Sequence, residues 1–281
     1  MNLAVLGMGR MGQAIAGRLL EAGHDVTIWN RTPGRAPELR QQGAREAESV
    51  GDAVGTADLV LTSLANDDAV LAVALGEEGI RSALKDGATY ADCSTVAPAT
   101  SAKLAAAFPR FVAMPILGSP VQVTAGQAIY LIGGSGEAAA AVEPLLPDLT
   151  EKSHRYERAP LAAAAKLTVN LLLLDGVVAL AEAFASGRAG GLDDAQLREL
   201  LGENPMVAPG LGYRFEGVLT GDQDEIWSAA LGAKDARLAL ELAGTAGVGL
   251  PLTATARDRY EETAARLKDV DIAGVTRLYQ R

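Results

Sequence analysis

Lys166 and Asn170 stand four residues apart in PLAAAAKLTVNLLLLDGVVALAEAFASG, the stretch Pro160–Gly187. A helix over this stretch places both on one face, one turn apart. Two roles are open for a lysine in so apolar a helix. Its ammonium can snorkel to water from a buried stem. Alternatively, Lys166 is a partly desolvated ammonium aimed at a cleft and fixed by Asn170, able to protonate an oxygen on which negative charge develops. Only His24 and His154 could offer imidazole chemistry, and neither sits in a motif. Two histidines far apart in sequence make a histidine-based metal site improbable, and no metal ligand set is predicted. Cys93 is the single cysteine; with no histidine near it, it reads as a buried strand residue and not a nucleophile.

A second group with chemical potential is Gly7-Met8-Gly9-Arg10-Met11-Gly12, a complete G-x-G-x-x-G. It follows a short apolar strand, Asn2–Leu6, and opens a helix, Arg10–Glu21, which is the context a dinucleotide-binding turn requires. Gly7 permits the tight turn, Gly9 lets backbone approach a pyrophosphate, and Gly12 lets helix meet strand. The helix start offers N–H groups and a positive dipole end to phosphate. The alternative is a tight turn with no ligand. The next strand, Val26–Trp29, ends in Asn30-Arg31-Thr32, where an NAD-binding unit places an acidic residue for the ribose hydroxyls. Without that carboxylate, a 2′-phosphate meets no repulsion, and Arg31 with Thr32 can bind it through charge-assisted hydrogen bonds. The expected cofactor is NADP(H), ahead of NAD(H). Arg31 stacking on adenine or facing solvent is the other possibility.

The elements that must position these residues follow in an αβ alternation. Asp58–Leu64 reads as the fourth strand and opens into Ala65-Asn66-Asp67-Asp68. Thr89–Cys93 is the fifth, opening into Ser94-Thr95-Val96-Ala97-Pro98. Both loops leave the carboxyl ends of parallel strands, where ligands of doubly wound sheets bind. Phe111–Met114 leads into Pro115-Ile116-Leu117-Gly118-Ser119-Pro120, which either presents the Gly118 and Ser119 amides to an anion or is a plain connection. Ala128–Gly133 is a further strand, closed by Gly133-Gly134-Ser135-Gly136.

From Pro160 onward the pattern is helical: Asp193–Leu201, Val207–Phe215, Ile226–Ala246, Pro251–Lys268 and a short tail from Ile272. The fold class is α/β, an N-terminal Rossmann doubly wound sheet (1–159) joined by a long interdomain helix to an all-α C-terminal domain (160–281). The active site is expected between the two. Lys234, in the helix Ile226–Ala246, can form a surface ion pair with Asp235 or Glu241.

The chain has 281 residues, 49% of them hydrophobic, and carries 25 basic against 35 acidic side chains for a formal charge of −10. That length allows a large core, and the acidic balance disfavours nucleic acid, whose binding depends on neutralising phosphate. One cysteine precludes an intrachain disulfide and suits a reducing cytosol, so a cytoplasmic location is expected. Leu167–Ala181 is apolar, but Asp175 interrupts it and it reads as short for a membrane span. The apolar outer face of the long helix points to a homodimer.

Taken in order, these motifs resemble the β-hydroxyacid dehydrogenase family, which includes 3-hydroxyisobutyrate dehydrogenases and glyoxylate/succinic semialdehyde reductases. The similarity covers nearly the whole chain. It is carried by the GMGRMG turn, Asp92-Cys93-Ser94-Thr95, Met114-Pro115-Ile116-Leu117-Gly118-Ser119, Lys166 with Asn170, and Lys234-Asp235. The resemblance implies an NAD(P)-dependent dehydrogenase or reductase acting on CH–OH groups, with a C-terminal domain like that of 6-phosphogluconate dehydrogenase. Lys166 would be the catalytic acid/base and Asn170 would help orient a small aldehyde, keto acid or hydroxy acid. Cofactor contacts are expected from Gly7, Met8, Gly9, Arg10, Met11, Gly12, Asn30, Arg31, Thr32, Leu64, Ala65, Thr95 and Lys234. Substrate contacts are expected from Ser94, Leu117, Gly118, Ser119 and Asn170.

The chain departs from the family where a Ser-Gly-Gly loop usually holds the substrate carboxylate, since those positions read Leu117-Gly118-Ser119. This points to a bulkier or less polar substrate. Ala162–Ala165 likewise replace the glycines usual before the lysine. Imine reductases resemble the same family but usually carry another residue at the Lys166 position. Other relatives lack the lysine and serve as non-catalytic NADP-binding modules. Lys166 favours carbonyl chemistry over both.

Overall fold

Short runs of apolar residues ending in glycine or polar turns build the first half as strands covered on both faces. The computed structural model describes residues 1–134 and 136–280, so the expected loop Gly133–Gly136 includes Ser135, which lies outside the described residues. Two compact units are present, Met1–Lys166 and Leu167–Arg281. Among the described residues of the first, nine strands form one sheet: β1 (Asn2–Leu6), β2 (Asp25–Trp29), β3 (Arg45–Glu46), β4 (Leu59–Thr62), β5 (Thr89–Asp92), β6 (Phe111–Ala113), β7 (Ile116–Leu117), β8 (Ile129–Gly133) and β9 (Lys152–Tyr156).

The order is β3-β2-β1-β4-β5-β6-β8-β7, with β9 also pairing β8. Strands β1 to β6 are parallel, in the order typical of a dinucleotide-binding sheet. Strands β4 and β5 are buried at every position, as strands covered by helices on both faces must be. The chain reverses at β1, so β1 and β4 leave a crevice at their carboxyl ends.

The strand reading left the third strand, Arg45–Glu46, unplaced and missed two further elements. Ile116–Leu117, taken as loop, pairs antiparallel with β8, Ile116 opposite Tyr130 and Leu117 opposite Ile129. Lys152–Tyr156, KSHRY, is a mostly exposed strand parallel to β8. Its residues lack the apolar run that marks a buried strand, which is how an edge is kept from templating another chain.

The second unit is helical. One helix, Ala159–Ala189, spans 31 residues, starts in the first unit and supplies Leu174, Val177, Val178, Ala181 and Phe184 to the core of the second. It extends slightly beyond the expected Pro160–Gly187. A window of mean hydropathy 1.8 makes it long and apolar enough to cross a membrane by composition, so shortness does not hold as an argument. Asp175 accepts a hydrogen bond from Thr253 Oγ1 at 2.9 Å, and burial raises its carboxyl pKa.

Asp193 caps Asp194–Leu201 through a capping box with Gln196, and Gly202 follows as the stop. Helices Ala229–Thr245 and Pro251–Arg266 match the expected positions within a few residues. The single helix expected over 207–215 is instead two short ones, Pro209–Gly212 and Phe215–Thr220. Pro209 can only start a helix, and Gly210 and Gly212 each cost about 1 kcal/mol of helix propensity.

Candidate functional site

The turn after β1 is fixed by contacts that only glycine permits. Gly7 has φ +100°, and a Cβ there would lie 2.3 Å from the Ser63 carbonyl oxygen. At Gly12 a Cβ would lie 1.8 Å from the Gly7 carbonyl oxygen. Gly9 is different: a Cβ there would meet nothing within 4 Å, and its φ is an ordinary −74°. Nothing among the described residues sterically requires glycine at this position. It is the N-cap of the helix Arg10–Glu21, with no side-chain cap and no acidic residue in the first turn. A helix start with open N–H groups and free space above it fits a pyrophosphate.

Asn30 lies beside this turn, in a role the sequence did not suggest. Its Oδ1 accepts from the Met8 N–H at 3.0 Å, and its Nδ2 donates to the Thr32 carbonyl at 2.8 Å. The Asn30 side chain therefore braces backbone on both sides, and the Met8 amide is engaged. Arg31 and Thr32 are exposed.

At the carboxyl ends of β4 and β5 the structure gathers Leu64, Ser94 and Thr95 with residues that were not singled out as site residues. Asp92 is 2% exposed. It accepts from Thr62 Oγ1 at 2.7 Å and from the Ser94 N–H at 3.1 Å. Tyr90 Oη meets Thr62 Oγ1 at 3.0 Å. Ser94 Oγ in turn accepts the Leu64 N–H at 2.9 Å. Burial holds the Asp92 carboxyl above the usual range against the lowering effect of Ser94 and Thr62. Ser94 was expected to contact substrate, yet its hydroxyl is tied into the protein and the residue is buried. A polar residue at the end of a strand, Thr62 after Leu59-Val60-Leu61 and Asp92 after Tyr90-Ala91, was the available signal. Thr95 and Leu64 are half-buried and Ala65 is exposed. Burial pushes the neighbouring Cys93 thiol well up, in keeping with an inert strand-end residue.

Leu117, Gly118 and Ser119 sit after β6, on β7 and at the start of the short helix Pro120–Thr124. Leu117 is half-buried against the apolar cluster that also contains Ala162. Gly118 has φ +140°. The Ser119 N–H donates to Gln122 Oε1 at 2.8 Å, and Ser119 Oγ accepts from the Gln122 N–H at 3.3 Å. This capping box already gives the Ser119 amide an acceptor, which weakens its expected part in holding an anion. The signal was in the sequence, serine followed three residues later by glutamine.

In the long helix Lys166 is half-buried and Asn170, one turn on, is buried. Within the helical unit Asn170 Nδ2 donates to Asp235 Oδ2 at 2.8 Å. Lys234 Nζ lies 2.8 Å from Asp235 Oδ1, the two side chains 11% and 4% exposed. Lys234 is indeed paired with Asp235, but the pair is covered and not a surface ion pair. Asp235 thus joins Asn170 and Lys234, a bridge the sequence could not show. Among the described residues no cluster of histidine, cysteine, aspartate or glutamate fits a metal ion.

A Rossmann-type sheet with an uncapped glycine turn, followed by a helical unit, defines the class of NAD(P)-binding oxidoreductases. Residues 2–156 match the family described as the NAD binding domain of 6-phosphogluconate dehydrogenase. Residues 161–279 match that described as NAD-binding of NADP-dependent 3-hydroxyisobutyrate dehydrogenase. The chain belongs to the β-hydroxyacid dehydrogenase family, oxidoreductases of the EC 1.1.1 type. It is 34% identical to the uncharacterized oxidoreductase YfjR of Bacillus subtilis (strain 168), over 93% of each chain. It is 30% identical to glyoxylate/succinic semialdehyde reductase 2 (chloroplastic) of Arabidopsis thaliana, over 98% of this chain and 78% of that one. Its fold matches a 3-hydroxyisobutyrate dehydrogenase of Mycobacterium tuberculosis, solved with L-serine, at a TM-score of 0.87 and 24% identity, covering 100% and 99% of the two chains.

Proposed function

We propose that this chain is an NADP(H)-dependent reductase of small aldehydes or keto acids, with Lys166 as general acid/base. The observation that carries the cofactor reading is the open helix start at Gly9, with Asn30-Arg31-Thr32 where a ribose-binding acid would otherwise stand. Asn30 brings no negative charge to repel a 2′-phosphate, and exposed Arg31 and Thr32 are free to reach one. NADP(H) would supply the hydride to the carbonyl carbon. Lys166 would donate its proton to the oxygen as negative charge builds there, and take it back in the reverse direction. Asn170, held by Asp235, would orient the substrate oxygen from one turn along the same helix. Leu117 puts an apolar surface where the family's serine meets a carboxylate, which favours a less polar substrate.

The proposed organisation is a cofactor domain over 1–159 and a substrate and dimerisation domain over 160–281. Val169 and Leu172 on the long helix are exposed, Leu172 by 72%, which supports pairing of two copies. We expect a cytoplasmic protein with a small-molecule substrate and neither nucleic acid nor membrane as partner. The test is a panel of semialdehydes and keto acids with NADPH and NADH, comparing wild type with Lys166→Ala, Arg31→Ala and Leu117→Ser. Lys166→Ala should lower kcat about 100-fold or more, the usual worth of a general acid. Arg31→Ala should cost about 10-fold or more in the preference for NADPH. Wild-type kcat retained by Lys166→Ala removes the lysine mechanism, and an unchanged NADPH-to-NADH ratio in Arg31→Ala removes the NADP assignment.

A further inference from the structure

The loops that follow β4 and β5 are clipped together twice. Leu64 N–H donates to Ser94 Oγ at 2.9 Å, and Ala97 N–H donates to Asp67 Oδ1 at 2.9 Å. The second clip is local to two loops, whereas the first is anchored in the sheet. The Ser94 N–H donates to Asp92 Oδ1 at 3.1 Å, and Asp92 accepts from Thr62 Oγ1, itself bonded to Tyr90. Thr62, Tyr90 and Asp92 are all buried.

A dinucleotide lies across the crevice of such a sheet in two halves. With the pyrophosphate at Gly9 and the adenosine half toward Asn30 on the β2 side, the nicotinamide half falls toward the β4 and β5 loops. We infer that Asp92 is a positioning residue: by holding the Ser94 backbone N–H, whose own Oγ holds the Leu64 N–H, it sets the spacing of the loops after β4 and β5, and with it the seat of the nicotinamide half. This inference rests on the dinucleotide reading given above.

The chemistry explains why a carboxylate stands there. Two donors converge on Asp92 Oδ1: the Thr62 hydroxyl and the Ser94 N–H. An ionised carboxylate accepts both and gives none back, so Ser94 is pinned at its backbone while its Oγ accepts from Leu64. An asparagine would bring two N–H donors into the same space. Its neutral oxygen would hold the Ser94 N–H less firmly than a carboxylate does. Burial works against this arrangement, since it disfavours the charged carboxylate. The group is therefore costly for the fold and useful for the loops, a pattern found where binding sites hold strained or desolvated groups.

The test is NADPH binding by titration calorimetry for wild type, Asp92→Asn, Ser94→Ala and the double variant, with a thermal melt for each. Each single change should weaken NADPH by about 10-fold, and the double by no more than the worse single, because both break one connection. The Tm of Asp92→Asn should fall by less than about 2 °C, since a desolvated charge is removed along with its bonds. A purely structural aspartate would instead lower Tm and leave NADPH affinity unchanged. Effects that multiply in the double variant, or an Asp92→Asn protein that binds NADPH like wild type, overturn the inference. If Asp92→Asn does not fold, unchanged affinity in Ser94→Ala overturns it alone. A wild-type protein that binds neither NADPH nor NADH overturns the cofactor reading and this one with it. Wild-type binding with indifferent variants overturns only this one.

Discussion

Two helices in the sheet-bearing unit start with a small residue and a turn, at Gly9 and at Ser119, and they end up in opposite states. The helix Arg10–Glu21 has no side-chain cap, no acid in its first turn and open space over Gly9. The helix Pro120–Thr124 is closed by its own capping box, Ser119 and Gln122 satisfying each other's amides. Both starts were candidates for holding an anion. The orphan N–H groups of a helix start must find acceptors somewhere. At Ser119 they are found within the chain, and at Gly9 they are left for something outside it.

The contrast can be broken or sharpened by substitution. The largest effect is expected at Gly12, where a Cβ would overlap the Gly7 carbonyl and neither backbone can yield. Gly12→Ala should cost about 3 kcal/mol or more in a urea titration, as overpacking against rigid neighbours does. Gly9→Ala should separate fold from ligand. Its stability should stay within about 0.5 kcal/mol of wild type, because φ −74° suits alanine and no atom is met. Its NADPH affinity should drop about 10-fold or more, the worth of one or two charged hydrogen bonds. A Gly9→Ala protein with wild-type affinity would mean that the open start binds no phosphate.

Ser119→Ala is the mirror image. It should lose about 1 kcal/mol of stability, the usual worth of an N-cap, with NADPH affinity unchanged. A fall in NADPH affinity would show that the two starts are not independent.

The smallest effect lies at the opposite ends of the same strands. Asp58 just before β4 accepts from Lys85 Nζ at 2.8 Å and from the Asn2 N–H at 3.1 Å, and these bonds, Lys85 first, hold its carboxyl below the usual range. A depressed folded-state pKa stabilises above the unfolded value and loses that contribution as pH falls through the folded one. Asp92 behaves with the opposite sign, its raised pKa favouring the fold at acid pH and losing that preference as pH rises through the folded value. Because Asp58 and Lys85 are both more than 40% exposed, Asp58→Asn should remove less than about 1 kcal/mol at neutral pH. The same change should flatten the stability curve below about pH 4. Stability curves of Asp58→Asn and wild type that stay parallel through that range would refute the assignment.

Much of the fold was legible because its causes are local. The strand Asn2–Leu6, the helix Arg10–Glu21 and the long helix were all readable from apolar runs and their glycine or proline borders. The edge strand Lys152–Tyr156 and the two-residue strand Ile116–Leu117 were not, because an exposed or very short strand has no apolar run to reveal it. Around the site, the residue types were legible and their partners were not. Asn30 was visible as a missing acid, but not as the brace of Met8 and Thr32. Lys234 was visible next to Asp235, but the covering of that pair and its link to Asn170 were not.

By itself the sequence determined where backbone must turn, because glycine and proline act through sterics that reach only a residue or two. It also determined which segments are helix or buried strand, since the spacing of apolar residues is written along the chain. Only the tertiary structure decided which hydrogen-bonding groups remain open to a ligand. Thr62 meets Asp92 and Leu64 meets Ser94 across 30 residues of chain, and Asn170 meets Asp235 across 65. Whether a polar group is satisfied depends on what stands 3 Å away in space, and neighbours along the chain do not specify that.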